Sequence, residues 1–549
     1  MAHLASRVTS GSRVSIGGFH FTRQPIALVE AIASQGTKGL THVHWGGSLG
    51  LEILLEASAV DHVIFCFSSL EIFGTAPSFR RALESGSVTF EEYTALELHQ
   101  ALLAAEMNLK ALPLQDPTGS WRAMLPEPGV RDSPTIEIDV VLLHASRADE
   151  LGNVEIPGAQ GLDRLLALAG RKVLVTVEEV VPAGALTDRA SVIPRHFIDA
   201  IAVHSGAAWP TSCVPNYGTD YTEILGRVRR GTLTGANSTS EGVGTLAETA
   251  PRVDWRSQPF PSREPIRHQA ADQIVAWLHR RIRNNSICSV GSASSLATVA
   301  YLAAKTSVAP RMSLLTHNGG YLDVGSRFAS ISFGESADFQ SAAVYCGGDD
   351  SYRWYYQQGR VTEEVVGAAQ IDQRGQTNNG WITSDGSGRR LRLPGQGGMA
   401  DVANMHRNFV LYAPRQSARQ LVTEVEWISA ARGIHDNDLR ASLGYGPGSV
   451  SLITDLAVFV YDEHLGHLVV ESIHEGVSAD QLRAAVEFAI DIPADLRVTP
   501  APTPDELKAI DRVDPFGLRV LEFLPARDRL DAIERVLADE AMFLKELVA

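Results

Sequence analysis

The chain is poor in cysteine and has no long apolar run. Only four of its 549 residues are cysteines, and they are scattered without a CxxC pair, which argues against a disulfide framework or a cysteine-rich zinc site. No apolar run approaches the ~18–20 residues that cross a bilayer. The first residues, 1–13, lack the apolar core of a signal peptide. We therefore expect a cytoplasmic protein with no membrane partner and no bound metal.

Positive charge is also scarce. The chain has 48 lysines and arginines against 64 aspartates and glutamates, a formal net charge of -16. This excess of acid disfavours nucleic acid and anionic membranes as partners, so an anionic ligand would need a local basic or amide-lined pocket. With 44% hydrophobic and 20% charged residues, the composition is that of a folded globular protein. The length favours two or more domains.

Short β-type runs alternate with helical segments along the chain. The β-type runs are rich in Val, Ile and Leu and are bounded by turn residues. This alternation is typical of βαβ units and predicts an α/β fold with mainly parallel sheets covered by helices. The predicted strands are 13–16, 41–44, 62–67, 138–144, 172–177, 286–290 and 312–316, and the predicted helices are 24–34, 91–109, 270–281, 295–305 and 526–549.

A proline-rich segment divides the chain into two halves that look alike. Residues 258–267, QPFPSREPIR, contain three prolines, which excludes a regular helix or a central strand. The pattern Ala-x3-Asp-x2-Gly follows a β-type run at 145–152 and again at 368–375. We therefore predict two similar domains, 1–257 and 268–549, joined by this linker and separated by a cleft.

Two glycine-rich loops are candidate binding sites. One follows the first predicted strand, where glycine permits a tight turn that brings N–H groups to a ligand. It lacks the third glycine of a dinucleotide fingerprint, and a purely structural turn fits equally well. The other loop, 393–401, places glycines close together, and consecutive amides can bind phosphate or stabilise an oxyanion. The candidate residues are Gly17, Gly18, Phe19, Gly395, Gly397 and Gly398.

Three titratable residues are candidates for acid–base chemistry. His317 follows the predicted strand 312–316, and ligands of open α/β sheets bind beyond the carboxyl ends of strands. A histidine there can act as acid or base near neutral pH, although Asn-Gly after it is also a common turn. Glu92 and Glu97 lie on the predicted helix 91–109. Five residues correspond to about 140° around a helix, so the two carboxylates would not share one face.

Several distinctive motifs follow one another along both halves. Those in the first half are VSIGGF (14–19), FSSLE (67–71), ESGSVTFEEYT (84–94), ADELGNV (148–154) and PNYGTDY (215–221). Those in the second half are VGSASSLA (290–297), VGAAQIDQRGQTN (366–378), LPGQGGMADVAN (393–404), LVTEVEWIS (421–429), ITDLAVF (453–459) and SIHEGVS (472–478). Together and in this order they resemble the class I coenzyme A transferases, with the first half similar to the α subunit and the second to the β subunit. The resemblance implies two CoA-transferase-type α/β domains fused in one chain.

The sequence departs from that family at one position. In the transferases, a glutamate at the end of a strand of the β-type half attacks the acyl-CoA and carries the CoA as a glutamyl thioester. His317 occupies the matching position, or Asn318 with a slip of one residue, and neither can form that thioester. The chain also resembles the CoA-dependent hydrolases of steroid catabolism, which open a cyclic β-oxo acyl-CoA by retro-Claisen hydrolysis with an acidic residue of the α-type subunit. Glu92 aligns best with that residue and Glu97 is the alternative.

The resemblance thus implies an acyl-CoA enzyme that hydrolyses a C–C bond, with His317 orienting water or protonating the enolate. Two alternatives remain: a CoA-transferase in which Asp323 or Glu335 replaces the glutamate, and a non-catalytic acyl-CoA-binding relative. The implied cofactor is none beyond the CoA of the substrate, and a homodimer is possible. The catalytic candidates are Glu92, Glu97 and His317, and the substrate-binding candidates are Gly17, Gly18, Phe19, Asn318, Gly319, Gly395, Gly397 and Gly398.

Overall fold

Two large sheets, one in each half of the chain, form the framework of the protein. The computed structural model describes residues 1–116, 129–235, 244–291, 294–316, 320–383, 388–492 and 495–548. Within these residues the first half forms a nine-stranded sheet and the second half a ten-stranded sheet. Helices pack against both sheets, so the prediction of mainly parallel sheets covered by helices is confirmed.

The first sheet is parallel except at two short strands. Its parallel strands, in spatial order, are Ala200–Val203, Val173–Val181, Val140–Asp149, Arg13–Ile16, Leu40–Gly47, Val60–Ser68 and Thr89–Glu92. Val154–Glu155 pairs in antiparallel fashion with the carboxyl-terminal part of Val140–Asp149 and with Val192–Ile193. Its helices are Ala2–Ala5, Ile26–Ser34, Leu49–Glu56, Pro77–Ser85, Ala95–Glu106, Asp163–Ala169, Tyr221–Arg230 and Thr245–Thr249.

The second sheet has a parallel centre, and its outer strands join it through antiparallel pairs, except that Arg497–Val498 pairs in parallel with His467–Ile473. The central strands are Ser313–Thr316, Ile287–Val290, Glu363–Gly367, Asn408–Ala413 and Val450–Thr454, and the outer strands are Val344–Tyr345, Tyr321–Leu322, Ala457–Asp462, His467–Ile473 and Arg497–Val498. The helices of this half are Gln269–His279, Ser295–Thr306, Gly334–Ser341, Gly348–Ser351, Met399–Met405, Asn437–Ser442, Ala479–Ala484, Pro504–Val513 and Ala526–Val548, with a π-helical turn at Tyr352–Tyr356. Smaller sheets pair Gln370–Asp372 with Thr377–Asn378 and Leu421–Val422, Trp381–Thr383 with Arg390–Arg392, and Ala111–Asp116 with Gly129–Pro134.

The two halves repeat one arrangement of parallel strands, down to the residue register. Ser15 pairs with Val43 on one side and with Val141 on the other. In the second half Ser289 pairs with Leu315 and Glu364 in the same way. The prediction of two similar domains is therefore confirmed. Residues 258–267 carry no helix or strand, while the exact domain boundaries stay a prediction.

The repeated Ala-x3-Asp-x2-Gly pattern forms the same turn in both halves. Asp149 Oδ1 accepts hydrogen bonds from the N–H groups of Leu151 and Asn153. Asp372 Oδ1 accepts them from the N–H groups of the residues two and four positions later, as in the first turn. The glycine of each pattern has a positive φ, 93° at Gly152 and 74° at Gly375, which explains the residue type.

One predicted element was wrong in its first part. Residues 91–109 were predicted as a single helix, but Thr89–Glu92 is a strand that pairs in parallel with Val60–Ser68, and the helix is Ala95–Glu106. The Thr94 side chain accepts from the Glu97 N–H group, and Glu97 accepts from the Thr94 N–H group. This capping box fixes the start of the helix. Glu92 therefore precedes the helix, and the angular argument for this pair does not apply.

The two halves share an apolar core, and the C-terminal helix contacts both of them. Trp45 of the first half and Tyr352 of the second lie in one apolar cluster. The helix Ala526–Val548 buries Ile533, Val536, Leu537, Phe543 and Leu544. Its Asp531 and Glu534 pair with Arg229 of the first half. Among the described residues, no helix combines the length and apolar character needed to cross a membrane.

Candidate active site

A cavity of about 380 Å³ lies where the two sheets meet. Residues at or just beyond the carboxyl ends of strands from both halves contribute to its wall. Ligands of α/β proteins bind at such strand ends, and the cavity is the cleft expected between the halves. These strand-end residues are Phe19, Gly46 and Phe67 of the first half and Gly291, Thr316 and Gly367 of the second.

A smaller cavity of about 160 Å³ adjoins the first. The two cavities share Glu71 and Thr316 in their walls. The smaller cavity extends to Thr22, Glu335 and Asp338. Burial raises the pKa of Asp338 to about 7. Glu71 thus stands between a larger aromatic chamber and a smaller chamber that contains further carboxyl groups.

Aromatic rings from both halves form one wall of the larger cavity. The Phe19 and Trp45 ring centroids are 5.5 Å apart, and those of Trp45 and Tyr352 are 5.0 Å apart. Tyr352 stacks on Tyr356 at 4.3 Å. Rings of this kind offer a large apolar contact surface, so the cavity suits a hydrocarbon group and desolvates polar groups beside it.

Glu364 is a carboxyl group in the middle of a buried strand, Glu363–Gly367, and it lines the cavity. Its side chain is buried beside the hydroxyl groups of Ser289 and Tyr356. Burial raises the pKa of Glu364 to about 7, although those hydroxyls act in the opposite direction. His406 Nδ1 lies 3.3 Å from Glu364 Oε2. Because burial and nearby arginines lower the pKa of His406 to about 3, that imidazole is neutral and does not hold the carboxyl ionised.

Glu71 and His20 form a second titratable pair in the cavity wall. Glu71 Oε1 lies 3.9 Å from His20 Nδ1. Both residues have left-handed backbone conformations, with φ of 49° and 50°. Such strained conformations cluster at functional sites. Burial, together with repulsion from Glu335, raises the pKa of Glu71 to about 8.

Both carboxyl groups have pKa values that burial raises into the neutral range, about 7 for Glu364 and about 8 for Glu71. A carboxyl group with such a pKa can take up or release a proton near neutral pH, as acid–base catalysis requires. The cavity therefore contains two carboxyl groups that are suited to proton transfer.

Glu92, a predicted catalytic residue, is an anchor between the halves. It is 1% exposed, accepts from Arg392 Nη2 at 2.8 Å, and accepts from the Gln396 N–H group at 3.0 Å. The Arg392 guanidinium lies 5.2 Å from the Phe65 ring centroid. Glu92 is absent from the described lining of the cavity. Its contacts hold the loop 393–398 in place.

Glu97, the alternative candidate, lies in the capping box described above and is also absent from the described lining. Its helix is attached to the second half at its first turn: the Leu96 N–H group donates to Asp401 Oδ2 at 3.0 Å, and the Ala95 N–H group donates to the Gly397 carbonyl at 3.0 Å. Glu92 thus contacts the loop 393–398 directly, whereas Glu97 caps the helix whose first turn is bonded to Gly397 and Asp401.

The first glycine loop is a structural turn that delivers Phe19 to the cavity. The Gly17 N–H group donates to the Leu142 carbonyl, and the Gly18 N–H group donates to Asp163 Oδ1. Gly18 has a φ of +77°, and a Cβ there would lie 2.1 Å from the Thr22 carbonyl oxygen. Both N–H groups are therefore occupied within the protein, and only Phe19 of these three residues lines the cavity.

The second glycine loop does not form the predicted row of ligand-binding amides. The Gly395 N–H group donates to the Asn379 carbonyl and the Gly397 N–H group to the Cys66 carbonyl. Among the described hydrogen bonds the Gly398 N–H group has no acceptor. Gly397 and Gly398 line the cavity, while Gly395 does not belong to its described lining. Only Gly398 thus keeps a donor for a ligand oxygen.

Residues His317, Asn318 and Gly319 lie outside the described residues. The chain leads to them from Thr316, which lines both cavities. Of the two carboxylates considered as replacements for the transferase glutamate, Asp323 is exposed and pairs with Lys305 at 3.0 Å. Glu335 lines the smaller cavity and accepts from the Thr22 hydroxyl at 3.2 Å.

A group of possible metal ligands lies away from these chambers. Ligand atoms of His144, Glu178 and Cys213 lie within 4.8 Å of one another. Glu178 already accepts hydrogen bonds from His144, the Gly206 N–H group and the Tyr217 hydroxyl. The carboxylate is therefore satisfied by the protein and ties the following loop to the sheet.

Sequence analysis missed Glu364, Glu71 and His20 as site residues. One signal for Glu364 was present, because a strand buried in a parallel sheet is expected to be continuously apolar and Glu363–Gly367 begins with two glutamates. Glu71 stands in FSSLE, after the carboxyl end of Val60–Ser68. No sequence pattern around His20 predicts its left-handed backbone conformation or its place in the cavity wall.

Comparisons with known proteins agree with this geometry. A family model described as Coenzyme A transferase matches residues 1–204 and 272–485. The chain is 29% identical over 234 residues to one of the two subunits of 3-oxoadipate CoA-transferase of Pseudomonas knackmussii, covering 42% of this chain and 87% of that protein. It is 29% identical over 238 residues to the cholesterol ring-cleaving hydrolase IpdA subunit of Mycobacterium tuberculosis, covering 39% of this chain and 81% of that protein.

A solved structure extends the similarity in fold to almost the whole chain. The acyl-CoA transferase YdiF of Escherichia coli O157:H7, solved as a thioester complex with CoA, superposes with a TM-score of 0.66 and 14% sequence identity. The match covers 92% of this chain and 94% of that protein. At this identity the likeness concerns the fold alone, and it includes both halves in one chain.

Proposed function

The chain belongs to the coenzyme A transferase family, and from that premise we propose that it hydrolyses a C–C bond of a β-oxo acyl-CoA by retro-Claisen cleavage. An enzyme acting on CoA thioesters follows from the family. Two observations favour hydrolysis. His317 stands where the resemblance expects the nucleophilic glutamate, and one of the similar proteins is named as a ring-cleaving hydrolase.

The proposed reaction needs a base, an acid and a site for negative charge. The base removes a proton from water, whose oxygen attacks the ketone carbon and forms an alkoxide. The alkoxide collapses to a carboxylic acid, and the bond between the ketone carbon and the α-carbon breaks. The electron pair of that bond becomes the thioester enolate, which takes a proton at the α-carbon. The products are a carboxylate and a shorter or ring-opened acyl-CoA.

The observation that carries this proposal is the pair of buried carboxyl groups, Glu364 and Glu71, that line one cavity and have pKa values raised into the neutral range. Glu364, with a pKa of about 7, is the proposed base, and Glu71, with a pKa of about 8, is the proposed acid. A carboxylate with a raised pKa is a stronger base than an ordinary one, which suits the activation of water. We therefore assign the role of base to Glu364 instead of Glu92, which bonds to Arg392 and Gln396, or Glu97, which caps a helix.

We propose the Gly398 N–H group as one donor to the enolate oxygen. Gly398 lines the cavity beside Tyr352, since a Cβ on Gly398 would lie 2.1 Å from the Tyr352 hydroxyl oxygen. Hydrogen-bond donors aimed at a developing oxyanion stabilise the transition state. The proposed role of His317 in orienting water or protonating the enolate stays a prediction.

The proposal is tested by mass spectrometry with a panel of cyclic and linear β-oxo acyl-CoAs in heavy-oxygen water. We expect one labelled oxygen in the newly formed carboxylate and no CoA adduct on the intact protein. A CoA adduct with unlabelled product would contradict hydrolysis and support the transferase. His317→Glu serves as a second arm, because it restores the residue type of the transferases, and CoA transfer is expected to appear in that variant.

A further inference from the structure

The described walls of both cavities carry several carboxyl groups, and His20 is their one side chain that can become cationic. The carboxyl groups are Glu71, Glu364, Glu335 and Asp338. Among the described residues, neither lysine nor arginine contributes to either wall. We infer that the acyl group of the substrate is neutral and mainly hydrocarbon, and that acyl groups ending in a free carboxylate are rejected. The inference rests on the proposed function in one respect: it takes the larger cavity as the chamber that receives the acyl group.

The buried arginines near the cavities are already committed to carboxylates of the protein. Arg23 donates to Asp163 at 2.9 Å, and both side chains are essentially unexposed. Arg392 donates to Glu92 at 2.8 Å, again with both side chains at 0% exposure. Neither arginine belongs to the described lining of either cavity, so neither is placed to pair with a substrate carboxylate there.

A free carboxylate in the larger cavity would therefore be desolvated without compensation. Transfer of an ionised carboxylate into an apolar environment is costly unless it is paired and hydrogen-bonded. Ionised Glu364 would add repulsion between like charges at neutral pH, since its pKa is about 7. A neutral group avoids both costs.

The aromatic wall stabilises a bound hydrocarbon group by removing its apolar surface from water. Phe19, Trp45, Phe67, Tyr352 and Tyr356 all contribute to the lining. Each Å² of apolar surface removed from water contributes about 25 cal/mol, and aromatic faces add specific contacts. The cavity volume of about 380 Å³ is at the lower end of the ~300–1,000 Å³ of small-molecule sites. A compact ring or a branched chain fits this volume better than an extended one.

The inference is tested by calorimetric binding measurements with CoA thioethers. An enzyme can neither hydrolyse these compounds nor transfer CoA from them. The probes are S-(4-carboxybutyl)-CoA, its methyl ester, and S-(cyclohexylmethyl)-CoA. The CoA portion is identical in all three, so its recognition cancels in the comparison. We expect the ester and the cyclohexyl compound to bind at least about tenfold more tightly than the acid. Equal or tighter binding of the acid would overturn the inference.

A second test introduces a positive charge into the cavity wall and compares it with an uncharged side chain of similar length. Ala369 lines the cavity and is half-buried, so a longer side chain there can be accommodated. Ala369→Arg is expected to bring the affinity for the acid to within about threefold of the affinity for the ester, whereas Ala369→Gln, of similar length and no charge, leaves the preference unchanged. An equal response of both variants would show that charge is not the cause and would overturn the inference.

These measurements separate the inference from the proposed function, because thioether binding requires no turnover. A preference for neutral probes together with a CoA adduct in the mass experiment would keep the acyl-group inference and remove the hydrolase. Labelled product together with tight binding of the acid probe would keep the hydrolase and remove the inference.

Discussion

The two halves of the protein share a strand order and a register but differ at one position that matters for chemistry. Val141 and Glu364 occupy equivalent places, since they pair with Ser15 and Ser289 in the two sheets. Val141 is 0% exposed and belongs to the apolar core, whereas Glu364 lines the cavity. The comparison shows how a repeated framework holds an asymmetric site: the core residue of one copy corresponds to the titratable residue of the other.

The halves also differ beside their parallel centres. In the first half, Val60–Ser68 and Thr89–Glu92 continue the parallel sheet, and the turn that carries Glu71 follows Val60–Ser68. In the second half the corresponding edge continues with the antiparallel strand Tyr321–Leu322. Each half thus contributes a different carboxyl group, one from a loop and one from a strand.

The largest expected effect is the loss of activity when the Glu364 carboxyl group, which the first half lacks at the equivalent position, is removed. Glu364→Gln keeps the shape of the side chain but removes the base, so kcat is expected to fall by about 10²–10⁴. Glu363→Gln, on the same strand but hydrogen-bonded to Asn408 away from the cavity, is the matched control and should retain most of the activity. Steady-state kinetics measure both variants, with circular dichroism to confirm folding. A Glu364→Gln enzyme that kept more than about a tenth of kcat would remove Glu364 as the base.

Breaking the buried ion pair between Glu92 and Arg392, which joins the two halves, is expected to have the next largest effect, a loss of stability. Glu92→Leu leaves Arg392 buried without its partner, and breaking such a pair is expected to cost about 3–5 kcal/mol. The double variant Glu92→Leu/Arg392→Met should recover a large part of that loss, because it removes both charges. Glu91→Gln is the control, since the Glu91 side chain is 47% exposed, and should change stability by less than about 0.5 kcal/mol. Denaturant unfolding measures all three, and similar losses for Glu92→Leu and the double variant would argue against the pair.

The raised pKa values of Glu364 and Glu71 predict a pH–rate profile with both limbs near neutral pH. Activity rises as Glu364 ionises through its pKa of about 7 and falls as Glu71 loses its proton through its pKa of about 8. Glu71→Gln should lower kcat by roughly 10²-fold and abolish the descending limb. Glu335→Gln should move the descending limb to lower pH, because repulsion from Glu335 contributes to the raised pKa of Glu71. An unchanged descending limb in Glu71→Gln would assign that limb to another group.

The smallest expected effect compares the repeated turns. Burial alone would raise the pKa of Asp149, but hydrogen bonds from Asn153 and Leu151 outweigh it and hold that pKa below its ordinary value. For Asp372, burial outweighs the N–H groups of its turn and raises the pKa. Ionised Asp149 therefore stabilises the fold above its unfolded pKa, and this stability is lost as pH falls through the folded value. Ionised Asp372 destabilises the fold, and this cost disappears as pH falls below the unfolded value.

Asp149→Asn should accordingly lower the free energy of unfolding at neutral pH, and Asp372→Asn should raise it slightly. Each change is expected to be below about 1 kcal/mol, because burial and the hydrogen bonds of each turn act on the pKa in opposite directions and partly cancel. Both differences should vanish in acid, as thermal unfolding at a series of pH values would measure. Changes of the same sign in both variants would contradict the assigned directions.

Much of the framework was predictable from local sequence patterns. The strand predicted at 13–16 is observed as Arg13–Ile16, and the helix predicted at 295–305 is observed as Ser295–Thr306. The strand Thr89–Glu92 was missed because its partner Val60–Ser68 is distant in sequence, and short edge strands carry little periodicity. The glycine loops were found, but the acceptors that occupy their N–H groups come from other parts of the chain, so the number of free donors was not predictable.

The sequence by itself determined the α/β class, the two similar halves and the loops that reach the space between them, because apolar period, turn residues and repeated motifs are local properties. Tertiary structure alone decided which carboxyl groups enter that space. Glu92 and Glu364 are both buried glutamates at strand positions. One meets an arginine of the other half and becomes a support. The other meets hydroxyl groups and aromatic rings, and its raised pKa follows from desolvation by residues that only the fold brings together.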